Sequence, residues 1–281
     1  MISKKGIHKE EVYLIVVQIN FIVVSIYPLY PHPALLLDGV WDRKQHKYIA
    51  ISDLHLGFES ELDAKGIVID SNLLLHEMLN ELFDLIKIHK IEGIILLGDI
   101  KSHIGPISKK EWDIIPQFFK SLSEYTNVYL IPGNHDSNIR FLTPLNINMI
   151  SSRGMVLDDT LLIHGHTMPS RTRPSIRRIV MGHIHPIFTK YGSVINGQRV
   201  WIYLKVKKET IFPDIEGTLD IIVVPTFNKF LYRINNKRDC YRKSISPIIN
   251  RALKDNAIQQ GLIITLLGSI VGDTAMLYGI I

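Results

Sequence analysis

The sequence predicts an α/β fold with a mainly parallel sheet, joined late in the chain by a second sheet. Three observations carry this. Short, apolar, β-rich runs recur from Lys47 to His183, each ending in glycine or polar residues, as strands buried on both faces do. Amphipathic stretches stand between the earlier runs, so strand and helix alternate. After residue 200 further strand-like runs follow with few helices between them.

In chain order the first element is an apolar run, Val12 to Pro31, behind MISKKGIHKEE. Lys4 and Lys5 ahead of it resemble the start of a signal or anchor. Gln18, Asn20 and Ser25 interrupt the run, Glu10 and Glu11 stand where positive charge belongs, and it barely reaches the ~20 residues of a spanning helix. Its β-branched residues read equally well as a strand. Residues 1–27 are therefore read as an apolar extension, a strand, an unstructured segment or a membrane anchor, and residues 28–281 as one domain. No small-residue cleavage site for secretion is evident.

KYIAIS, residues 47–52, is the first buried strand. Leucine and isoleucine at three- and four-residue spacing make Ser71–Lys90 an amphipathic helix, capped by Ser71 or Asn72. IEGIILLG is the second strand. Ser108–Tyr125 is a second helix with Pro116 as its blemish. NVYLIPG, DTLLIHG and RRIVMGH complete the first set, and VWIYLKVK, LDIIVVPTF and LIITLLGSIV supply the second sheet.

Composition limits what such a fold can do. With 46% hydrophobic and 21% charged residues, the 281-residue chain is globular and buries a sizeable core. Lys and Arg number 32 against 27 Asp and Glu, and the resulting +5 suits a polyanionic partner without demanding one. A single cysteine, Cys240, excludes an internal disulfide and a zinc-thiolate cluster, and makes a reducing, cytoplasmic setting the default.

Function is written at the strand ends. The five runs finish in Asp53-Leu54-His55, Gly98-Asp99, Gly133-Asn134-His135-Asp136, His164-Gly165-His166 and Gly182-His183-Ile184-His185, which hold six of the 12 histidines. In an open α/β sheet such turns face one crevice beyond the carboxyl ends of the strands. Asp, Asn and His without Cys are donors for borderline-to-hard divalent ions. D-x-H and H-x-H place two donors on one side of a strand, within reach of one ion. The glycines before Asp99, Asn134 and His183 let the backbone turn tightly beneath them.

D-x-H, G-D, G-N-H-D, a separate H and G-H-x-H, in that order from Asp53 to His185, resemble the pattern of the calcineurin-like metallophosphoesterases. ISDLHLGFESEL, GDIKSHIGPISKKEW, GNHDSNIRFL and GHIHPIF, with YPHPALLL, PTFN and SPII, look like the SbcD-related archaeal and ligase-associated subgroup. The resemblance implies an αββα fold, a two-sheet sandwich flanked by helices. It implies two divalent ions, Mn2+ first, with Fe, Zn, Ni or Mg as alternatives, and an activated water attacking phosphorus. Asp53, His55 and His185 would hold one ion and Asn134, His164 and His183 the other, with Asp99 bridging. His135 would face the scissile phosphate as an acid, oriented by Asp136. His166 is the lesser candidate beside His164.

Other residues keep two readings. Arg171, Arg173, Arg177 and Arg178, in TMPSRTRPSIRR, either grip a phosphodiester backbone or form a solvated basic face. Lys101 and His103 either contact phosphate or lie in a solvated loop. NNKRDCYRK is a weaker basic patch. The leading expectation is a phosphodiesterase or nuclease acting on DNA, with DNA-repair partners. The alternatives are a phosphodiesterase of small nucleotides or phospholipid headgroups, and a non-catalytic scaffold, against which the intact donor set speaks.

Overall fold

Two β-sheets lie face to face with helices on their outer sides, in the computed structural model, which describes residues 24–41, 44–63, 66–170, 175–231 and 246–280. The first sheet runs in the order β1 (Val24–Pro28), β2 (Leu35–Trp41), β3 (Lys44–Ile51), β4 (Gly93–Leu96), β5 (Asn127–Leu130) and β6 (Asn148–Met149). From β3 to β6 its pairs are parallel. The second sheet holds seven strands: β7 (Met155–Leu157), β8 (Thr160–Ile163), β9 (Arg178–Met181), β10 (Val200–Lys207), β11 (Thr218–Val223), β12 (Ile258–Thr265) and β13 (Ile270–Asp273). Its order is β13-β12-β10-β11-β9-β8-β7, parallel only at β8-β9 and β9-β11.

The period-2 alternation of strands sorts the apolar residues into three layers. Ile49, Ile51, Ile94 and Leu96 point outward from the first sheet onto α2 (Ser71–His89), which follows the short α1 (Glu59–Asp63), and onto α3 (Lys109–Ser123). Leu161, Ile163, Ile179 and Met181 point outward from the second, into a cluster that includes Ile248 and Ala252 of α4 (Pro247–Lys254). Between the sheets Ala50, Ile95, Leu97 and Ile131 meet Leu162, Val180, Trp201 and Ile222. This is the expected αββα sandwich.

Several details differ from the sequence reading. The five apolar runs are all strands, but β8 and β9 belong to the second sheet. Helix α2 is capped neither by Ser71 nor by Asn72: Asp70 accepts from the N–H groups of Asn72 and Leu73. Helix α3 opens on a reciprocal cap between Ser108 and Glu111 and carries Pro116 inside it. LIITLLGSIV is a hairpin, turning at Gly268 between β12 and β13. The end of the apolar N-terminal run, Val24 to Pro28, is the edge strand β1, paired with β2, while residues 1–23 lie outside the described residues. Among the described residues no helix is long and apolar enough to cross a membrane.

Candidate metal centre

Side chains gather where the parallel strands of both sheets end. Asp53 and His55 follow β3, Asp99 follows β4, and Asn134 and His135 follow β5. His164 follows β8, and His183 and His185 follow β9. The pleat does not aim them, because each lies past the last residue of its strand. Five of them instead have left-handed backbone: Asp53 (φ 59°), His55 (φ 45°), Asp99 (φ 51°), His183 (φ 72°) and His185 (φ 49°). A residue with a Cβ is strained by about 1–3 kcal/mol in such a region, and this strain is characteristic of functional sites.

Two groups of donors result, each within 4.8 Å internally: Asp53, His55, Asp99 and His185, and Asp99, His164 and His183. Asp99 belongs to both. In the first, the Nε2 atoms of His55 and His185 stand 3.2 Å apart, with Asp53 Oδ1 3.2 Å from His185 Nε2 and Asp99 Oδ2 3.7 Å from His55 Nε2. In the second, His164 donates from Nδ1 to the Leu97 carbonyl at 2.7 Å. That bond turns its Nε2 toward Asn134 Oδ1 at 3.1 Å and Asp99 Oδ2 at 3.2 Å.

Such an arrangement suits cations. Carboxylate, amide and imidazole acceptor atoms point at one another in a buried place, where like groups repel unless a positive charge stands among them. The titration tendencies say the same. Burial opposes charge on His164, but the Asp99 carboxylate outweighs it and lifts the imidazole to about 9. Burial, then His185, depresses His55 to about 3, and burial, then His164, depresses His183 to about 4. Both rings are therefore neutral donors at physiological pH. Burial would raise the Asp99 carboxyl, yet His164, His55 and His135 together hold it below the usual range. The donor set fits a pair of divalent ions.

Packing under the donors is close. A Cβ at Gly182 would stand 1.6 Å from Ser52 Oγ, the hydroxyl that donates to Asp53 Oδ2 at 2.7 Å. The His183 N–H reaches the same oxygen at 3.1 Å.

Beside the donors, His135 keeps 23% of its side chain exposed, with Nε2 3.9 Å from Asp99 Oδ2. Its N–H donates to Asp99 Oδ1 at 2.9 Å and its Nδ1 to the carbonyl of Ser102. Asp136 does not orient this ring. Its buried carboxylate accepts from the N–H groups of Ile100 (2.8 Å), Lys101 (3.1 Å) and Gly133 (2.8 Å), tying the turn after β4 to the turn after β5. Burial, and then Asp99, push its carboxyl up. His166 lies with its ring centroid 5.2 Å from that of His164 and belongs to neither donor group.

The basic residues separate from the site. Lys101 is wholly buried, its ammonium taken by the carbonyls of His103 and Gly105, so it braces its own loop. Arg178 begins β9, at the end opposite the donors, and its guanidinium binds Asp159 and the carbonyl of Val24. Arg177, its exposed neighbour, shares that remote end. Arg171 and Arg173, like NNKRDCYRK, lie outside the described residues. Two contributors were missed in the sequence reading: the Ser102 carbonyl and Glu111. The S-x-x-E of Ser108–Glu111 was the available signal for the second, as a capping box.

The chain is similar to a nuclease, MPE, of Pseudomonas putida (19% identity, 74% of this chain and 89% of that one, TM-score 0.45). It is also similar to YfcE, a phosphoesterase of E. coli (15% identity, 81% and 98%, TM-score 0.36). An uncharacterized protein, R555, of Acanthamoeba polyphaga mimivirus is 37% identical over 67 residues, which are 24% of this chain and 5% of that much longer relative. Residues 46–208, more than half of the sequence and the stretch that carries every donor, match the family of calcineurin-like phosphoesterases. By that extent the chain belongs to the calcineurin-like phosphoesterase family.

Proposed function

We propose that the protein is a dinuclear-metal phosphodiesterase that cleaves nucleic acid, DNA foremost. The observation that carries the dinuclear part is the carboxylate of Asp99, common to two donor groups whose atoms each lie within 4.8 Å of one another. Asp53, His55 and His185 would complete one site, and Asn134, His164 and His183 the other. Divalent ions held there, Mn2+ suiting this mix of hard oxygen and imidazole nitrogen, would supply an acidified water and charge neutralisation at phosphorus.

The chain's own groups do the rest. Asp99 and Asp53 sit buried, so water is kept from the donors on their inner side. His135, partly exposed, has Nδ1 committed to the Ser102 carbonyl. Its Nε2 is then the atom that would face a bound phosphate, and in the imidazolium form it can pass its proton to the leaving oxygen, which leaves the neutral ring protonated at Nδ1. Nucleic acid as substrate rests on the subgroup resemblance.

The test is hydrolysis of single-stranded DNA and of bis-p-nitrophenyl phosphate by the Mn2+-loaded protein and by Asp99→Asn. The wild type should cleave both, and Asp99→Asn should lose turnover together with metal at both positions. Two tightly held ions and full turnover in Asp99→Asn would dismiss the dinuclear reading. Cleavage of the small diester without any cleavage of DNA would shift the substrate to small nucleotides or phospholipid headgroups.

A further inference from the structure

Glu111 is wholly buried and makes more bonds than a helix cap requires. One oxygen, Oε2, closes the capping box on the Ser108 N–H at 2.7 Å. The other, Oε1, leaves helix α3 altogether and accepts from the N–H groups of Ser102 at 3.1 Å and His103 at 3.0 Å. Lys101 Nζ stands 4.0 Å from the same oxygen. The turn after Asp53 is shaped around this side chain: at Gly57 (φ 93°) a Cβ would come within 2.8 Å of Glu111 Cγ.

The N–H of His103 and the carbonyl of Ser102 are the two ends of one planar peptide unit. Glu111 takes the N–H end, and the imidazole of His135 donates to the carbonyl end. A carboxylate thus meets the histidine through a single rigid amide. The negative charge at one end polarises the unit and strengthens its oxygen as an acceptor. A carbonyl only accepts, so Nδ1 of His135 must carry a proton and Nε2 is directed into the crevice.

We infer that Glu111 is the positioning residue for His135, setting its tautomer and ring orientation across the Ser102–His103 peptide. This rests on the proposed role of His135 at the phosphate. It gives Glu111 the task that the sequence pattern assigned to Asp136.

The test uses the full chain loaded with Mn2+ and two diesters: single-stranded DNA, whose alkoxide leaves poorly, and bis-p-nitrophenyl phosphate, whose phenolate leaves well. Glu111→Gln, which keeps the side chain's shape, should lower kcat on DNA about 10–100-fold. The loss should be smaller on the nitrophenyl ester, with KM and bound metal unchanged. In the double variant with His135→Ala, turnover should be no lower than in His135→Ala alone, because a residue acting through the imidazole has nothing left to act on. Losses that multiply in the double variant, or equal losses on both esters with depleted metal, would overturn the inference and leave Glu111 a brace for the loop. If His135→Ala itself turned over at the wild-type rate, the role of His135 and this inference would fall together. Should Glu111→Gln not fold, nitrogen NMR of the wild type decides: neutral His135 protonated at Nδ1 is expected, and protonation at Nε2 overturns the assignment.

Discussion

Replacing His135 by Ala should leave two metals bound per chain and cut kcat by about 10²–10⁴-fold, the usual worth of a positioned acid. The loss should shrink on p-nitrophenyl esters, whose leaving group needs little protonation. Metal analysis beside kinetics on both esters checks this, and equal losses on both would make His135 a stabiliser of phosphate charge instead. At this scale much of the site could be read from the sequence, because the donors' side-chain chemistry and their positions at strand ends are local properties. Asp136 and Lys101 could not be assigned so. Both look like site residues by position, yet their partners, Gly133 and Ile100 for one and His103 and Gly105 for the other, are set by how two turns pack. The left-handed backbone at Asp53, His55, Asp99, His183 and His185 was also hidden, since non-glycine residues give little local sign of it.

At the scale of elements, apolar runs identified the central strands well but could not say which sheet each joins. β8 and β9 each carry a run of three buried apolar residues, as β4 does, and pairing is a non-local choice. The caps show the same limit, one residue decides them, and Asp70 rather than Ser71 or Asn72 takes the free N–H groups of α2. Asp70→Ala should therefore destabilise the protein by about 0.5–2 kcal/mol in denaturant unfolding without altering kcat. Ser71→Ala should do much less, and the reverse ranking would contradict the cap. Arg178 belongs here too. Its bonds to Asp159 and to the Val24 carbonyl fasten β1 and the β7-β8 turn to the start of β9. Arg178→Ala should cost about 1–3 kcal/mol of stability while the salt dependence of DNA binding stays as in the wild type. A flattened salt slope would return Arg178 to the substrate path.

For the whole molecule, the two sheets meet in an apolar layer, but their carboxyl ends meet in donors. Each donor group draws from both: Asp53, His55 and Asp99 from the first sheet with His185 from the second, and Asp99 with His164 and His183. Stripping the ions with a chelator should lower the thermal midpoint, and restoring Mn2+ at a hundredfold excess over its Kd should return about 2.7 kcal/mol per site. A midpoint indifferent to chelation, measured by calorimetry, would mean that the donors hold no ion tightly. The same cross-sheet arrangement has a mechanical side. Ions held by donors from both sheets would act as a clasp at one end of the sandwich, so a pulling force that slides one sheet along the other would have to tear coordination bonds first. Stretched between its two halves, the loaded chain should yield in a single abrupt event at high force. The chelated chain should let its sheets part early and come undone in separate steps.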